Sequence, residues 1–266
     1  MDIVRAAFRA ECAQLTAILS ELDDADLDRL TDCPPWTVRE LFEHVRAGVA
    51  RLADMLAEPA PPRAEVDAAA YFGAAKFTPE VDAARIEAAR VEAARVEAAR
   101  VEAARVEAAR VEAAQVDSVQ ADAALVAIAQ VDGGRPGVRR AGPVLSADLY
   151  RAWRDTDAAV AAAPTERVVR TRHGDAMRLA EFLRTRVVEV GVHGLDLAAA
   201  LDRPPWLTPQ AAAVIADLLT GGRSVPAGLG WDELTVIRKT TGRAELTGPE
   251  RVVIDGAGFH WLTFGR

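Results

Sequence analysis

The sequence predicts a mainly α protein, an antiparallel four-helix bundle with appendages, and three features of its 266 residues carry that prediction. Apolar residues recur at the i, i+3, i+4 spacing of a buried helix face in several separate stretches. A complete helix-start signal precedes one of them. A third region is a long run of Ala, Glu and Arg, all strong helix formers.

Residues 2–22 place Ile3, Ala7, Phe8, Leu15, Ile18, Leu19 and Leu22 on one helical face. In CPPWTVRELFEHV, Thr37 is a helix N-cap with Glu40 at the third helical position, a capping box, and Trp36 and Leu41 form the matching hydrophobic staple. A helix therefore begins near residue 38, runs past His44 to about Leu56, and stops at EPAPPR.

Residues 81–115 are seven consecutive pentads of the VEAAR type. Five of the six Glu residues in it precede an Arg by three residues, a favourable helical pairing. A five-residue period rotates successive valines by roughly 140°, so they wind around the helix and form no fixed stripe. As a helix the array would span about 52 Å and be solvated along much of its length. A pentapeptide β-helix competes, but it calls for Leu or Phe at the centre of each pentad and about four pentads per coil, so the helix is preferred. The array reads as a spacer or decoration. GGRPGVRRAGP, residues 133–143, reads as a loop.

Further helices are expected from about Ser146 to Ala162 and from about Leu179 to Leu201. Another starts at Thr208, with Pro209 in its first turn and Gly221 and Gly222 at its end. The tail from Trp231 holds a strand-like patch and is otherwise irregular. Four regions follow: 1–63 with two bundle helices, 64–143 as an insertion, 144–220 with the remaining bundle helices, and 221–266 as a short C-terminal segment.

Bulk composition narrows the function. A net charge of −8 argues against a surface that tracks phosphates on nucleic acid. No apolar run approaches the roughly 20 residues of a membrane span. The N-terminus lacks the basic and apolar regions of a signal peptide. Cys12 and Cys33 are the only cysteines, too few for a disulfide framework, and read as reduced, structural thiols. These features predict a soluble, cytoplasmic protein without a nucleic-acid or membrane partner, and a homodimer is compatible with them.

The stretch EVGVHGLDL puts Glu189 and His193 four apart in an apolar run, on one helix face, with Asp196 three further on. A carboxylate and an imidazole pointing the same way suit a divalent metal. They serve a buried hydrogen bond equally well. A third ligand must come from elsewhere, and the chain has four histidines. His173 sits in the turn TRHGD and His260 in the tail, whereas His44 shares its helix face with apolar neighbours and can meet Glu189 and His193 across a bundle. Two histidines and one carboxylate leave a coordination position open, as catalytic sites do.

PPWTVRELFEHV and LAEFLRTRVVEVGVHGLDLAAAL resemble the two signatures of the mycothiol-dependent maleylpyruvate isomerase family, which belongs to the DinB/YfiT-like metal-binding four-helix bundles. The resemblance implies that His44, Glu189 and His193 hold a divalent metal, usually zinc. It implies mycothiol as cosubstrate, acting as a nucleophile on a small electrophile in an isomerase or S-transferase reaction. Arg186 and Asp196 match signature positions behind the ligands, and Arg243 in the TGR tail is a candidate for a substrate-serving arginine. These three are the candidate catalytic residues. The VEAAR array is foreign to the family pattern, and the tail is shorter than the C-terminal domain of the isomerase. A metal-dependent hydrolase using bound water, with Glu43 as the nearest candidate base, and a non-enzymatic helical scaffold are the alternatives.

Overall fold

In the computed structural model of the chain, residues 1–33, 36–73 and 141–262 and the single positions 91, 102 and 105 are described. Contacts divide the chain into two units, residues 1–86 with 140–266 and residues 87–139, and every element below belongs to the first. The pentad array and the 133–143 loop lie almost wholly outside the described residues. Val91, Glu102 and Arg105 are exposed and helical, and Arg105 lies 3.9 Å from Glu102 as the three-residue spacing requires.

Helix α1 spans Asp2–Glu21 and buries Ala7, Phe8, Leu15, Ile18 and Leu19 of the anticipated face, with Leu22 just beyond its end, but Val4 and Cys12 complete that face and Ile3 is 77% exposed. A single turn, α2 (Asp24–Leu27), leads to α3 (Val38–Ala57), whose start carries the Thr37 and Glu40 capping box. After the short α4 (Ala68–Tyr71) come α5 (Ala141–Ala162), a hairpin of β1 (Val168–Arg170) and β2 (Ala176–Arg178), and α6 (Leu179–Ala200). The hairpin pairs Val168 with Arg178 and Arg170 with Ala176. Helix α7 (Pro209–Thr220) starts at the Thr208 cap and ends at Gly221 in the left-handed conformation.

Helices α1 and α3 each pack against both α5 and α6, so α1 faces α3, and α5 faces α6, across the diagonals of a four-helix bundle. The fold class is therefore the mainly helical, DinB-like bundle that the sequence predicts. Sixteen of the 22 residues of α6 are buried, because α7, the hairpin and α4 cover the faces that α1 and α3 leave open. Among the described residues, no helix is long and apolar enough to cross a membrane.

Polar side chains tie the helices together. Arg5 donates to both carboxylate oxygens of Asp157, at 2.6 and 3.0 Å, linking α1 to α5. Thr156 donates to the Val49 carbonyl of α3, and the buried Glu11 of α1 accepts from the backbone and hydroxyl of Thr208 at the head of α7. Each bond satisfies a buried polar group and fixes one helix against another.

Two expectations differ from what is found. Helix α5 is already formed at Ala141, five residues before Ser146, and includes Pro143. The tail is not strand-like or irregular. It forms α8 (Glu233–Thr240), capped by Asp232, and α9 (Gly248–Ala257), capped by the Thr247 and Glu250 box. The only strands among the described residues are those of the hairpin. Helices α8 and α9 are joined by Lys239, which donates to both oxygens of Glu250 at 2.7 Å.

The approach of α5 to the end of α1 requires glycine. A Cβ on Gly142 would lie 2.2 Å from the Leu22 carbonyl oxygen and 2.6 Å from that of Leu19, both backbone atoms that cannot swing aside. Gly142→Ala is expected to destabilise the bundle by about 1–3 kcal/mol, the usual cost of overpacking. Urea midpoints of the two proteins measure it, and an unchanged midpoint would refute this close approach.

Candidate metal centre

The capping box at Thr37 sets where α3 starts, and with it the direction of His44, about two turns in. On α6, Glu189 and His193 lie one turn apart and face α3. The Nε2 atom of His193 is 3.4 Å from Glu189 Oε2, and His44 Nε2 is 3.7 Å from the same oxygen. The two imidazole planes are nearly perpendicular, at 87°, with centroids 5.5 Å apart. The ligand atoms of all three residues lie within 4.8 Å of one another.

These separations fit a metal better than hydrogen bonds. An N–H···O bond brings its heavy atoms to about 2.7–3.2 Å. Four ligands at about 2.0–2.1 Å from a tetrahedral ion lie roughly 3.4 Å apart along each edge. Two imidazoles and one carboxylate at this spacing are a borderline-soft donor set suited to zinc and related divalent ions.

The surrounding residues aim the three. His193 Nδ1 is 3.1 Å from Asp196 Oδ2, which leaves Nε2 directed at Glu189. Arg243 grips Asp196 with a fork, Nε to Oδ1 at 2.9 Å and Nη2 to Oδ2 at 2.8 Å. Arg186 lies 3.7 Å from Glu189 Oε1, on the oxygen not facing the histidines, and its guanidinium sits over the Phe182 ring. Gly48 makes room for it, since a Cβ there would come within 3.0 Å of Arg186 Nη1.

Two neighbours to which the sequence assigns only structural roles also reach the centre. The Cys33 thiol donates to Asp196 Oδ2 at 3.1 Å, and the Trp36 ring packs 4.7 Å from His44 and 6.4 Å from His193. Their signal is position: Trp36 immediately precedes the Thr37 cap and Cys33 lies four residues before it, so the segment that leads into α3 carries them along with His44. The remaining candidates fall elsewhere. Glu43 pairs with Arg46 at 2.7 Å. His173 lies in the hairpin turn against Tyr71, and His260 follows α9.

Burial and neighbouring charge oppose one another at all three residues. Burial alone would raise the Glu189 carboxyl, but the His193 and His44 imidazoles and the Arg186 charge outweigh it and hold it well below the ordinary carboxylate range. Burial likewise opposes charge on His193, yet Asp196, Cys33 and Glu189 push its pKa well above the ordinary histidine value. For His44 burial wins and the pKa falls. A buried, ionised Glu189 thus faces a protonated His193, while burial favours the neutral form of His44.

The sequence pattern of the mycothiol maleylpyruvate isomerase N-terminal domain matches residues 8–133 and 101–198, together well over half of the chain. The chain belongs to this family. His44, Glu189, His193 and Asp196 all fall within the family match, while Arg243 lies beyond its end and reaches the centre from the C-terminal segment. No curated protein and no solved structure matches the chain.

Proposed function

We propose that His44, Glu189 and His193 hold one divalent ion, zinc by their donor chemistry, and that the protein is an enzyme using mycothiol as a nucleophile on a small electrophilic substrate. The observation that carries this reading is the 3.4 and 3.7 Å spacing of two imidazole nitrogens about one carboxylate oxygen, in a chain of a family named for a mycothiol-dependent isomerase. A divalent ion held by these three residues would lower the pKa of a thiol that reached it and so make thiolate available at neutral pH.

The chain's own residues prepare that position. Asp196 keeps the proton on His193 Nδ1, which directs the Nε2 lone pair inward. Arg186 engages Glu189 Oε1 and leaves Oε2 to the imidazole side. Trp36 packs its ring against both histidines on one flank. The thiol sulfur adds to an electrophilic carbon of the substrate. If the thiol leaves again after bond rotation, the reaction is an isomerisation; if it stays, the reaction is an S-transfer. A cytoplasmic setting, where a reduced low-molecular-weight thiol is present, belongs to the same reading.

Hydrolysis by bound water is the weaker alternative, because it needs a general base beside the metal and Glu43 is engaged by Arg46. The deciding assay offers α,β-unsaturated acids and activated halides to the zinc-loaded protein with mycothiol, with an unrelated thiol, and with none. Turnover that saturates in mycothiol is expected. Equal turnover without any thiol would overturn the proposal in favour of hydrolysis.

A further inference from the structure

Three segments far apart in sequence deliver their side chains to one buried carboxylate. Asp196 of α6 is only 2% exposed. Its Oδ2 receives the Cys33 thiol at 3.1 Å, His193 Nδ1 at 3.1 Å and Arg243 Nη2 at 2.8 Å. Its Oδ1 receives Arg243 Nε at 2.9 Å.

The backbone on either side holds the donors still. Between α2 and α3, the Thr31 hydroxyl donates to the Trp36 carbonyl at 2.8 Å and accepts from the Cys33 N–H at 3.2 Å. The Thr31 N–H reaches the Trp36 carbonyl at 2.9 Å, and the Trp36 N–H reaches the Cys33 carbonyl at 3.0 Å. The loop is thereby closed on itself, with Cys33 on Asp196 and Trp36 on His44. At the end of α8, Gly242 turns the chain with φ of 76°, and Arg243 Nη1 donates to the Thr241 carbonyl at 2.6 Å. Three of the five N–H groups of the guanidinium are thereby directed at Asp196 and the Thr241 carbonyl.

We propose that Cys33 is a positioning residue of the metal centre, acting with Arg243 through Asp196 to hold the His193 ring. The inference rests on the reading of His44, Glu189 and His193 as metal ligands. A carboxylate that accepts from a ligating histidine fixes its tautomer and ring plane, and groups at this remove typically change metal affinity 10–100-fold. Arg243 supplies charge and two of the four contacts. Cys33 supplies the donor that keeps Oδ2 turned toward His193, a service that needs an S–H or O–H and not a thiolate. A cysteine present merely as packing would be replaced well by any apolar side chain of its size.

The test measures zinc affinity by competition with a chromophoric chelator, and the visible spectrum of the cobalt(II)-loaded protein, for the wild type and for Cys33→Ala, Cys33→Val and Cys33→Ser. Alanine and valine are both expected to weaken zinc binding by about tenfold and to shift the cobalt bands, since neither can donate to Asp196. Serine is expected to stay within about threefold of wild type with an unshifted spectrum, because its hydroxyl donates in place of the thiol. Valine keeps most of the volume, so it stands in if alanine fails to fold. Wild-type affinity and spectrum in the valine variant, or a serine variant no better than valine, would overturn the inference while leaving the metal centre intact. Failure of the wild type itself to bind zinc would overturn both.

Discussion

His193→Ala is expected to release the metal and to abolish mycothiol-dependent turnover. Structural zinc sites bind with about 10–16 kcal/mol in total, so one of four ligands is worth roughly 3 kcal/mol, or about two orders of magnitude in affinity. His193 should exceed that share, because it also connects the centre to Asp196. Metal content after desalting reads the loss directly, and His44→Ala should show it too. Full occupancy in both variants would remove these residues from the ligand set.

The same histidine gives the centre its pH dependence. In the metal-free protein the His193 pKa stands well above its unfolded value of about 6.5, because the surrounding carboxylates outweigh burial. That proton contributes stability in full below about pH 6.5, and the contribution fades as pH rises through the folded pKa. Zinc must displace the proton from Nε2, so affinity should climb over that same interval and level off above it. Thermal unfolding of metal-free and zinc-loaded protein across the interval should therefore diverge as pH rises. Parallel curves would mean that no proton is exchanged for metal at this site.

Much of the frame was legible because its signals are local. The Thr37 and Glu40 box announces α3 within four residues, and the Glu189 and His193 pair declares its shared face by spacing alone. The meeting of His44 with that pair is a long-range event, and no local pattern specifies it; the family signatures pointed to it. Cys33 and Trp36 were legible only as a structural thiol and a helix staple, because an isolated thiol or indole reads as packing until its neighbour is known. The tail was misread for another reason. Its beginnings at Asp232 and Thr247 carry ordinary N-caps, but α8 and α9 are short and β-branched residues dilute their helical period. They are helices because α7 gives α8 a surface to pack on and Lys239 binds α9 to it.

Arg243→Ala is expected to be the most destabilising single change outside the apolar core. Arg243 is 8% exposed and Asp196 2%, so the pair lies out of water, and removing one partner strands the other. Stranding one charge of a buried pair typically costs about 3–5 kcal/mol. For a chain of this size that lowers the melting temperature by roughly 2–4 °C per kcal/mol. Burial would raise the Asp196 pKa, but His193 and Arg243 hold it far below the ordinary aspartate value, so its contribution is present at neutral pH and is lost as the solution becomes strongly acid. Without Arg243 the carboxyl would accept a proton at a higher pH and shed the buried charge. The stability gap between wild type and Arg243→Ala should therefore be widest at neutral pH and narrow as pH falls through the variant's raised Asp196 pKa. Arg243→Lys should fall between the two, keeping the charge but losing the fork on Asp196. Urea titrations at a series of pH values separate these outcomes. A gap that stayed constant with pH would mean that Arg243 stabilises the fold by packing, and that the charge on Asp196 is carried by His193 and Cys33 without it.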